Sequence, residues 1–223
     1  FIHLPEGNSR INVKVKHGDE TEINGQGPVI TEEAINELFA KLATLTKEDI
    51  LVLAGSIPNT LPEDIYEKIL ARLESKGIRV VVDATKDLLL NVLKYHPFLI
   101  KPNNHELGEM FGTVCKTDED IVHYAKKLQE KGAVNVLISM AGDGAILITE
   151  DGQNIKMGTP KGKVVNSVGA GDSMVAGFIT GYIRGGNYEE ALKSGTAAGS
   201  ATAFSEGLAS LEMYEKMLKQ ITE

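Results

Sequence analysis

Four residues, Gly169-Ala170-Gly171-Asp172, hold the most concentrated chemistry in this 223-residue chain. Two residues without a Cβ let the backbone bend sharply and approach a ligand closely. The residues that follow, Ser173-Met174-Val175-Ala176-Gly177-Phe178, read as an apolar helix of small side chains. The first N–H groups of a helix have no partner within it. With the helix dipole they form a site for an anion, phosphate above all. Asp172 stands at the same helix start, where its carboxylate can accept a proton. An anion hole and a base within one turn are what phosphoryl transfer to a hydroxyl requires. Glycine-rich turns also precede ordinary helices, and Asp is a favoured N-cap. The tetrapeptide alone therefore leaves a purely structural role open.

Other segments carry weaker signals of the same kind. In Lys101-Pro102-Asn103-Asn104-His105-Glu106, Asn103 and Glu106 are three apart and share a face if the segment is helical. An amide and a carboxylate near phosphates suit Mg²⁺, which prefers oxygen ligands and keeps most of its waters. A solvated helix start explains the same residues, and His105 between them reads as exposed. Ser139-Met140-Ala141-Gly142-Asp143-Gly144 can present N–H and O–H groups to a nucleotide phosphate or ribose. It also reads as a turn, because Asp-Gly favours turns. The stretch from Ser194 to Ala201 has small side chains throughout, which permit close helix packing and leave room for a flat ring. In Ala54-Gly55-Ser56-Ile57-Pro58, the Ser56 hydroxyl can donate to a phosphate. Arg10 has a planar fork suited to phosphate oxygens, although an Arg beside a strand is unremarkable. Lys14 and Lys16 read as solvated.

These residues need a scaffold, and its pattern is regular. Ile11 to Lys16 alternates apolar and polar, as a strand with one covered face does. His17-Gly18-Asp19 reads as a turn, and Glu20 to Asn24 as the returning strand. From there strands and helices alternate. Thr31 caps a helix with Ile35, Leu38, Phe39 and Leu42 on one face. Ile50 to Ala54 reads as a strand covered on both sides. Thr60-Leu61-Pro62-Glu63 has capping-box spacing before a helix bearing Ile65, Ile69, Leu70 and Leu73. Further strands are predicted at Arg79–Asp83, Phe98–Lys101 and Val134–Ser139, with a helix near Asp118–Lys131. Ala145–Thr149 and Asn154–Met157 read as a hairpin around Asp151-Gly152. Three helices near Asp172–Arg184, Tyr188–Ser205 and Leu208–Ile221 close the chain. Repeated βαβ units predict an α/β fold with a mostly parallel sheet and helices on both faces. Ligands in such folds sit beyond the C-terminal strand ends, where Ser56, Asn103 and Ser139 fall.

Composition narrows the choice of function. The net charge is -8, which argues against a general nucleic-acid surface but permits a local pocket for anions. No apolar run is long enough to span a bilayer, and FIHLPEGNSR lacks the pattern of a signal peptide. The lone Cys115 cannot form an intrachain disulfide and reads as a small packing residue of a reducing, cytoplasmic setting.

The longer run VNSVGAGDSMVAGF, Val165 to Phe178, resembles the C-terminal signature of the phosphofructokinase B group of ribokinase-like sugar kinases. KPNxxE at Lys101–Glu106 is similar to that family's magnesium-linked element. Ser139–Gly144 resembles its nucleotide loop, usually S-x-G-x-x-G, with Ala141 where the family often has Gly. Gly55-Ser56-Ile57-Pro58 resembles its G-S-x-P loop, and Ser9–Val13 the segment whose Arg grips a sugar phosphate. These segments occur in family order from Arg10 to about Gly207. The resemblance implies a ribokinase-like three-layer sandwich over residues 1–223, with 10–27 as part of a small β lid. It implies Asp172 as catalytic base, with the backbone of Gly169, Ala170 and Gly171 on the transferring phosphoryl group. It implies Mg²⁺ at Glu106 and Asn103, and ATP on Ser139, Met140, Ala141, Gly142, Asp143, Gly144 and Gly171. Adenine is implied at Ser194 and Ala198, and a sugar phosphate at Arg10, Ser56 and Asp172. It also implies a homodimer paired through the lid.

RINVK followed by ETEINGQGP is most similar to members that phosphorylate fructose 1-phosphate at its 6-hydroxyl. Members acting on tagatose 6-phosphate stand next. The chain opens at Phe1 rather than Met, and the family's Gly-Gly-Lys-Gly-x-Asn sugar signature has no counterpart in it. The resemblance implies that roughly 80–90 residues are missing and that this chain alone is inactive. A non-catalytic sensor on the same fold is a rival, against which the retained base and N-x-x-E pair speak. An NAD-binding protein is a poorer one, because no G-x-G-x-x-G follows a strand with an acidic residue at the right distance.

Overall fold

The alternating run near the start of the chain forms an antiparallel ribbon. β1 (Asn12–His17) pairs with β2 (Asp19–Asn24), Val13 opposite Ile23 and Val15 opposite Thr21. The computed structural model describes residues 1–17 and 19–222. Gly18, the centre of the predicted turn, lies outside the described residues, as do the side chains of Lys14 and Lys16. One face of the ribbon gathers Ile11, Val13, Val15 and Ile23, all of them exposed.

The chain divides into two compact units. The first, Phe1–Leu51 with Gly55–Arg79, holds the ribbon, α1 (Glu32–Ala43) and α2 (Ile65–Leu73). Thr31 caps α1 as predicted, its hydroxyl accepting from the Ala34 N–H at 3.2 Å. α1 and α2 meet where the Arg72 guanidinium lies 3.9 Å over the Phe39 ring, a stacked cation–π contact. α2 buries Ile65, Ile69, Leu70 and Leu73, as their spacing predicts. Its start departs from the predicted capping box. Leu61 N–H bonds the Pro58 carbonyl and Ile65 N–H the Pro62 carbonyl. These two turns enclose Thr60 and Glu63, and α2 begins after Asp64 with no side-chain cap. The Thr60 hydroxyl donates instead to the Pro28 carbonyl at 3.4 Å.

The second unit, Val52–Ala54 with Val80–Glu223, is built on the sheet. β3 (Ile50–Ala54), β4 (Arg79–Asp83), β5 (Leu99–Ile100), β6 (Asn135–Ser139), β7 (Ala145–Ile148) and β8 (Asn154–Met157) lie in that order across it. β4, β5 and β6 run parallel, and β6, β7 and β8 alternate in direction. Val81, Val82, Leu99, Ile100, Leu137, Ile138 and Leu147 are fully buried. β3 corrects one expectation. Leu53 is buried, but Val52 and Ala54 are exposed. β3 is the edge strand of the described sheet, so its apolar run is covered on one face only.

Among the described residues this unit also holds the α-helices α3 (Lys86–Val92), α4 (Asn104–Met110), α5 (Asp118–Glu130), α6 (Ala170–Gly185), α7 (Tyr188–Ala203) and α8 (Leu211–Thr222). All four residues of β7 are buried, which requires cover on both faces; α5 and α7 both pack against it. Helix, sheet and helix thus form three layers. α6 and α7 approach closely, and a Cβ at Gly177 would stand 2.6 Å from the Ser194 carbonyl oxygen. α3 has no counterpart in the sequence reading. It is seven residues long and too short to show a helical period.

Candidate active site

The turn before α6 is held from outside the helix. The Asn166 side chain donates to the Glu206 carbonyl at 3.0 Å and accepts from the Val168 N–H at 3.2 Å. Val165 and Asn166 N–H groups both bond the Ala203 carbonyl. Gly169 is the N-cap, at φ +78°, a left-handed conformation that favours glycine. It has no side-chain cap bond. Asp172 is therefore not the cap; it sits in the first turn of α6, exposed. One predicted anion donor is already engaged, since the Ala170 N–H bonds the Ser167 carbonyl at 3.2 Å.

A cation faces this helix start. A Cβ on Gly171 would lie 3.1 Å from Lys101 Nζ. Lys101, directly after β5, is 6% exposed and pairs with Asp83 at the end of β4, at 3.2 Å. Burial pushes the Asp83 carboxyl above the usual carboxylate range. Lys101 opposes that rise, and the charges of Asp172 and Glu106 add to it. The ends of β4 and β5, α4 and the start of α6 thus bring the charges of Asp172 and Glu106 to bear on the Asp83–Lys101 pair. Lys101 lies inside a motif singled out from the sequence, yet that reading gave it no role. The signal available was its position next to Pro102-Asn103 at a strand end.

Asn103 and Glu106 are joined reciprocally. Asn103 Oδ1 accepts from the His105 and Glu106 N–H groups at 2.9 and 2.8 Å. Glu106 Oε2 accepts from the Asn103 N–H at 2.8 Å. This is a capping box on α4, so the pair has a structural job whatever else it does. Glu106 keeps its other oxygen. Among the described residues no group of three or more His, Cys, Asp or Glu side chains can hold a metal ion directly. One carboxylate and one amide fit an ion that retains its waters.

A cavity of about 540 Å³ opens beside these groups. The loop after β6 forms one wall, with Ser139, Met140, Ala141, Gly142 and Asp143. Asn103, Asn104 and His105 line it as well, together with Ala170 and Gly171; His105 is exposed, as read from the sequence. Ser139 N–H bonds the Pro102 carbonyl at 3.2 Å, and Thr159 Oγ1 donates to the Gly142 carbonyl at 2.9 Å. The loop is closed by the Met140 N–H on the Gly144 carbonyl at 2.8 Å. Gly144 is buried and is not among the lining residues. Ala141 has φ +48°, so it takes the left-handed backbone that a glycine would take there.

The helix α7 supplies other residues than those singled out for a base. Gly199, Ser200, Ala203 and Phe204 line the cavity, while Ser194 and Ala198 do not. The Ser194 hydroxyl is paired with the Tyr214 hydroxyl at 2.9 Å. Ala198 Cβ lies 2.7 Å from where a Cβ on Gly177 would be. These two small residues serve the packing of α7 on its neighbours, and the cavity is lined by a different face of α7, with Gly199, Ser200 and Ala203. Asp172 and Glu106 also lie outside the lining set.

In the first unit, Arg10 and Ser56 meet across 46 residues of sequence. Arg10 Nη1 donates to Ser56 Oγ at 3.2 Å, both side chains exposed. Cys115 is buried, and burial raises its thiol pKa, consistent with an inert packing residue.

The fold belongs to a known class. Residues 3–213 match the profile of the pfkB family carbohydrate kinases, and the chain belongs to that family. Its fold is the ribokinase-like α/β fold. It is 51% identical to the 1-phosphofructokinase of Bacillus subtilis over 97% of this chain and 71% of that one. It is 37% identical to the D-tagatose-1-phosphate kinase of Bacillus licheniformis, over 99% and 72% respectively. Among solved structures, phosphofructokinase-2 of Escherichia coli in complex with substrates and products superimposes with a TM-score of 0.86. That match has 25% identity and covers 96% of this chain and 71% of the other. No helix among the described residues is long and apolar enough to cross a membrane.

Proposed function

We propose that this protein transfers the γ-phosphoryl group of ATP to the 6-hydroxyl of fructose 1-phosphate, giving fructose 1,6-bisphosphate and ADP. The observation that carries a phosphoryl transfer is the meeting of Lys101 with the α6 start beside a cavity of nucleotide size. The choice of sugar rests on the 51% likeness to a 1-phosphofructokinase.

Asp172 accepts the proton of the attacking hydroxyl as its oxygen bonds to phosphorus and the bond to the ADP oxygen breaks. The N–H groups of Gly171 and Asp172 and the Lys101 ammonium take up the charge on the transferring group. Gly169 sets the turn, and Ala170 contributes through the wall of the cavity. The 139–143 loop holds phosphates or ribose, and Gly199, Ser200, Ala203 and Phe204 receive the base. Mg²⁺, when bound with the nucleotide, neutralises phosphate charge. Glu106, through its remaining oxygen, and Asn103 would hold it by way of its waters. Arg10 and Ser56 bind the phosphate that the sugar already carries. ATP as donor puts the activity in the cytoplasm. The uncovered ribbon acts as a lid on bound sugar phosphate and pairs two copies into a homodimer.

The test is ADP release from ATP and Mg²⁺ with fructose 1-phosphate, fructose 6-phosphate, tagatose 1-phosphate and tagatose 6-phosphate as acceptors. The largest kcat/KM is expected for fructose 1-phosphate. A larger value for a tagatose phosphate reassigns the substrate, and binding without turnover reassigns the protein as a sensor.

A further inference from the structure

The Gly55–Ser56 turn is exposed, yet its geometry is tied to a buried ring. Tyr66 in the first turn of α2 is 9% exposed. Its hydroxyl donates to the Gly55 carbonyl at 3.3 Å. Gly55 has φ +81°, which a glycine adopts freely. No atom lies within 4 Å of where its Cβ would stand, so packing at that point does not hold the turn. The C=O and N–H of one trans peptide unit point in opposite directions, and no described peptide is cis. A bond that fixes the Gly55 carbonyl therefore also fixes the Ser56 N–H, aimed away from Tyr66. The Ser56 hydroxyl accepts from Arg10 at 3.2 Å. A hydroxyl that accepts still has its own proton to give.

We propose that Tyr66 is a positioning residue for sugar-phosphate recognition: it orients the Gly55–Ser56 peptide so that Ser56 offers both its N–H and its O–H to the phosphate beside Arg10. This rests on the reading of Arg10 and Ser56 as the phosphate binders. Tyr66 itself touches no substrate. Phenylalanine keeps the buried ring and removes the hydroxyl.

Tyr66→Phe, Ser56→Ala and the double variant are compared in the full-length protein by steady-state kinetics and thermal melting. Tyr66→Phe should raise KM for the sugar phosphate about three- to tenfold, the scale of one neutral hydrogen bond. Its effect on kcat and on KM for ATP should be smaller, with Tm nearly unchanged. The double variant should raise KM by less than the product of the two single effects, because the O–H share that Tyr66 supports is already gone in Ser56→Ala while the N–H share remains. If Ser56→Ala raises KM and Tyr66→Phe does not, the positioning role is wrong and the phosphate reading stands. If Ser56→Ala leaves KM unchanged, the hydroxyl does not bind the phosphate and the proposal of two Ser56 donors set by Tyr66 fails. Additive effects in the double variant overturn the claim that Tyr66 acts through Ser56.

Discussion

Asp172 is the third residue of α6, three places beyond Gly169 in a turn that the Asn166 side chain also holds in shape. Its carboxylate makes no cap and is exposed, which leaves it available as a base. Asp172→Asn should therefore preserve fold and nucleotide affinity while lowering kcat by about 10²–10⁴. Near-normal turnover in that variant removes Asp172 from the reaction. Ala141 is constrained differently. It carries a Cβ in the left-handed region, φ +48°, at a cost of about 1 kcal/mol. Ala141→Gly releases that strain but adds freedom to the unfolded chain, and where φ is positive the strain is the larger of the two. Urea denaturation should show the variant more stable by about 0.5 kcal/mol; a destabilised variant means the loop gains more from the methyl group than it loses. Sequence alone showed the missing glycine but not that the backbone keeps the glycine's conformation.

Between β4 and β5 the chain stores an ion pair rather than an apolar contact. Lys101 and Asp83 are held at 3.2 Å with little exposure. Removing one partner of such a pair strands the other charge, at a cost of about 3–5 kcal/mol. Lys101→Met should be destabilised on that scale, and Asp83→Asn with Lys101→Met much less. The pH dependence has a definite sign. Burial raises the folded pKa of Asp83 above its ordinary 3.8. Stability from its neutral form is thus full below that value and is lost as pH rises through the raised folded pKa. Without Lys101 the folded pKa rises further, so the Lys101→Met penalty should be small in acid and grow toward neutral pH. Urea midpoints at several pH values check this, and a penalty independent of pH contradicts it. At this scale the sequence was most legible where period and length agree, as in α1, α5, β4 and the β7–β8 hairpin. It misled where tertiary context decides. The Thr60 box is displaced by two proline-directed turns, and the apolar run of β3 is an edge strand with one open face. α3 was missed because seven residues show no period.

Each of the two units brings together residues that the sequence had singled out separately: Arg10 with Ser56 in one, and Asn103, the 139–143 loop and Gly171 in the other. The motifs were legible because short loops at strand ends fix where they fall. Lys101 and the true lining face of α7 were not, because burial and helix rotation depend on what packs behind them. The ribbon has an apolar face that the described residues leave exposed. Two strands alone are marginal in water, and Ile11, Val13, Val15 and Ile23 are exposed at 72%, 47%, 46% and 61%. A second copy of the same ribbon, with the same apolar face, offers self-complementary cover. Light scattering should find the intact protein dimeric at micromolar concentration. Val13→Lys places a charge at the centre of that face. In a lone chain the side chain meets water, so unfolding stability should move by less than about 0.5 kcal/mol. In a dimer it must be desolvated against its mate, so the variant should be monomeric and its KM for the sugar phosphate should rise severalfold. An intact protein that is monomeric contradicts the pairing. A monomeric variant with unchanged sugar-phosphate KM keeps the pairing and removes the ribbon from substrate binding.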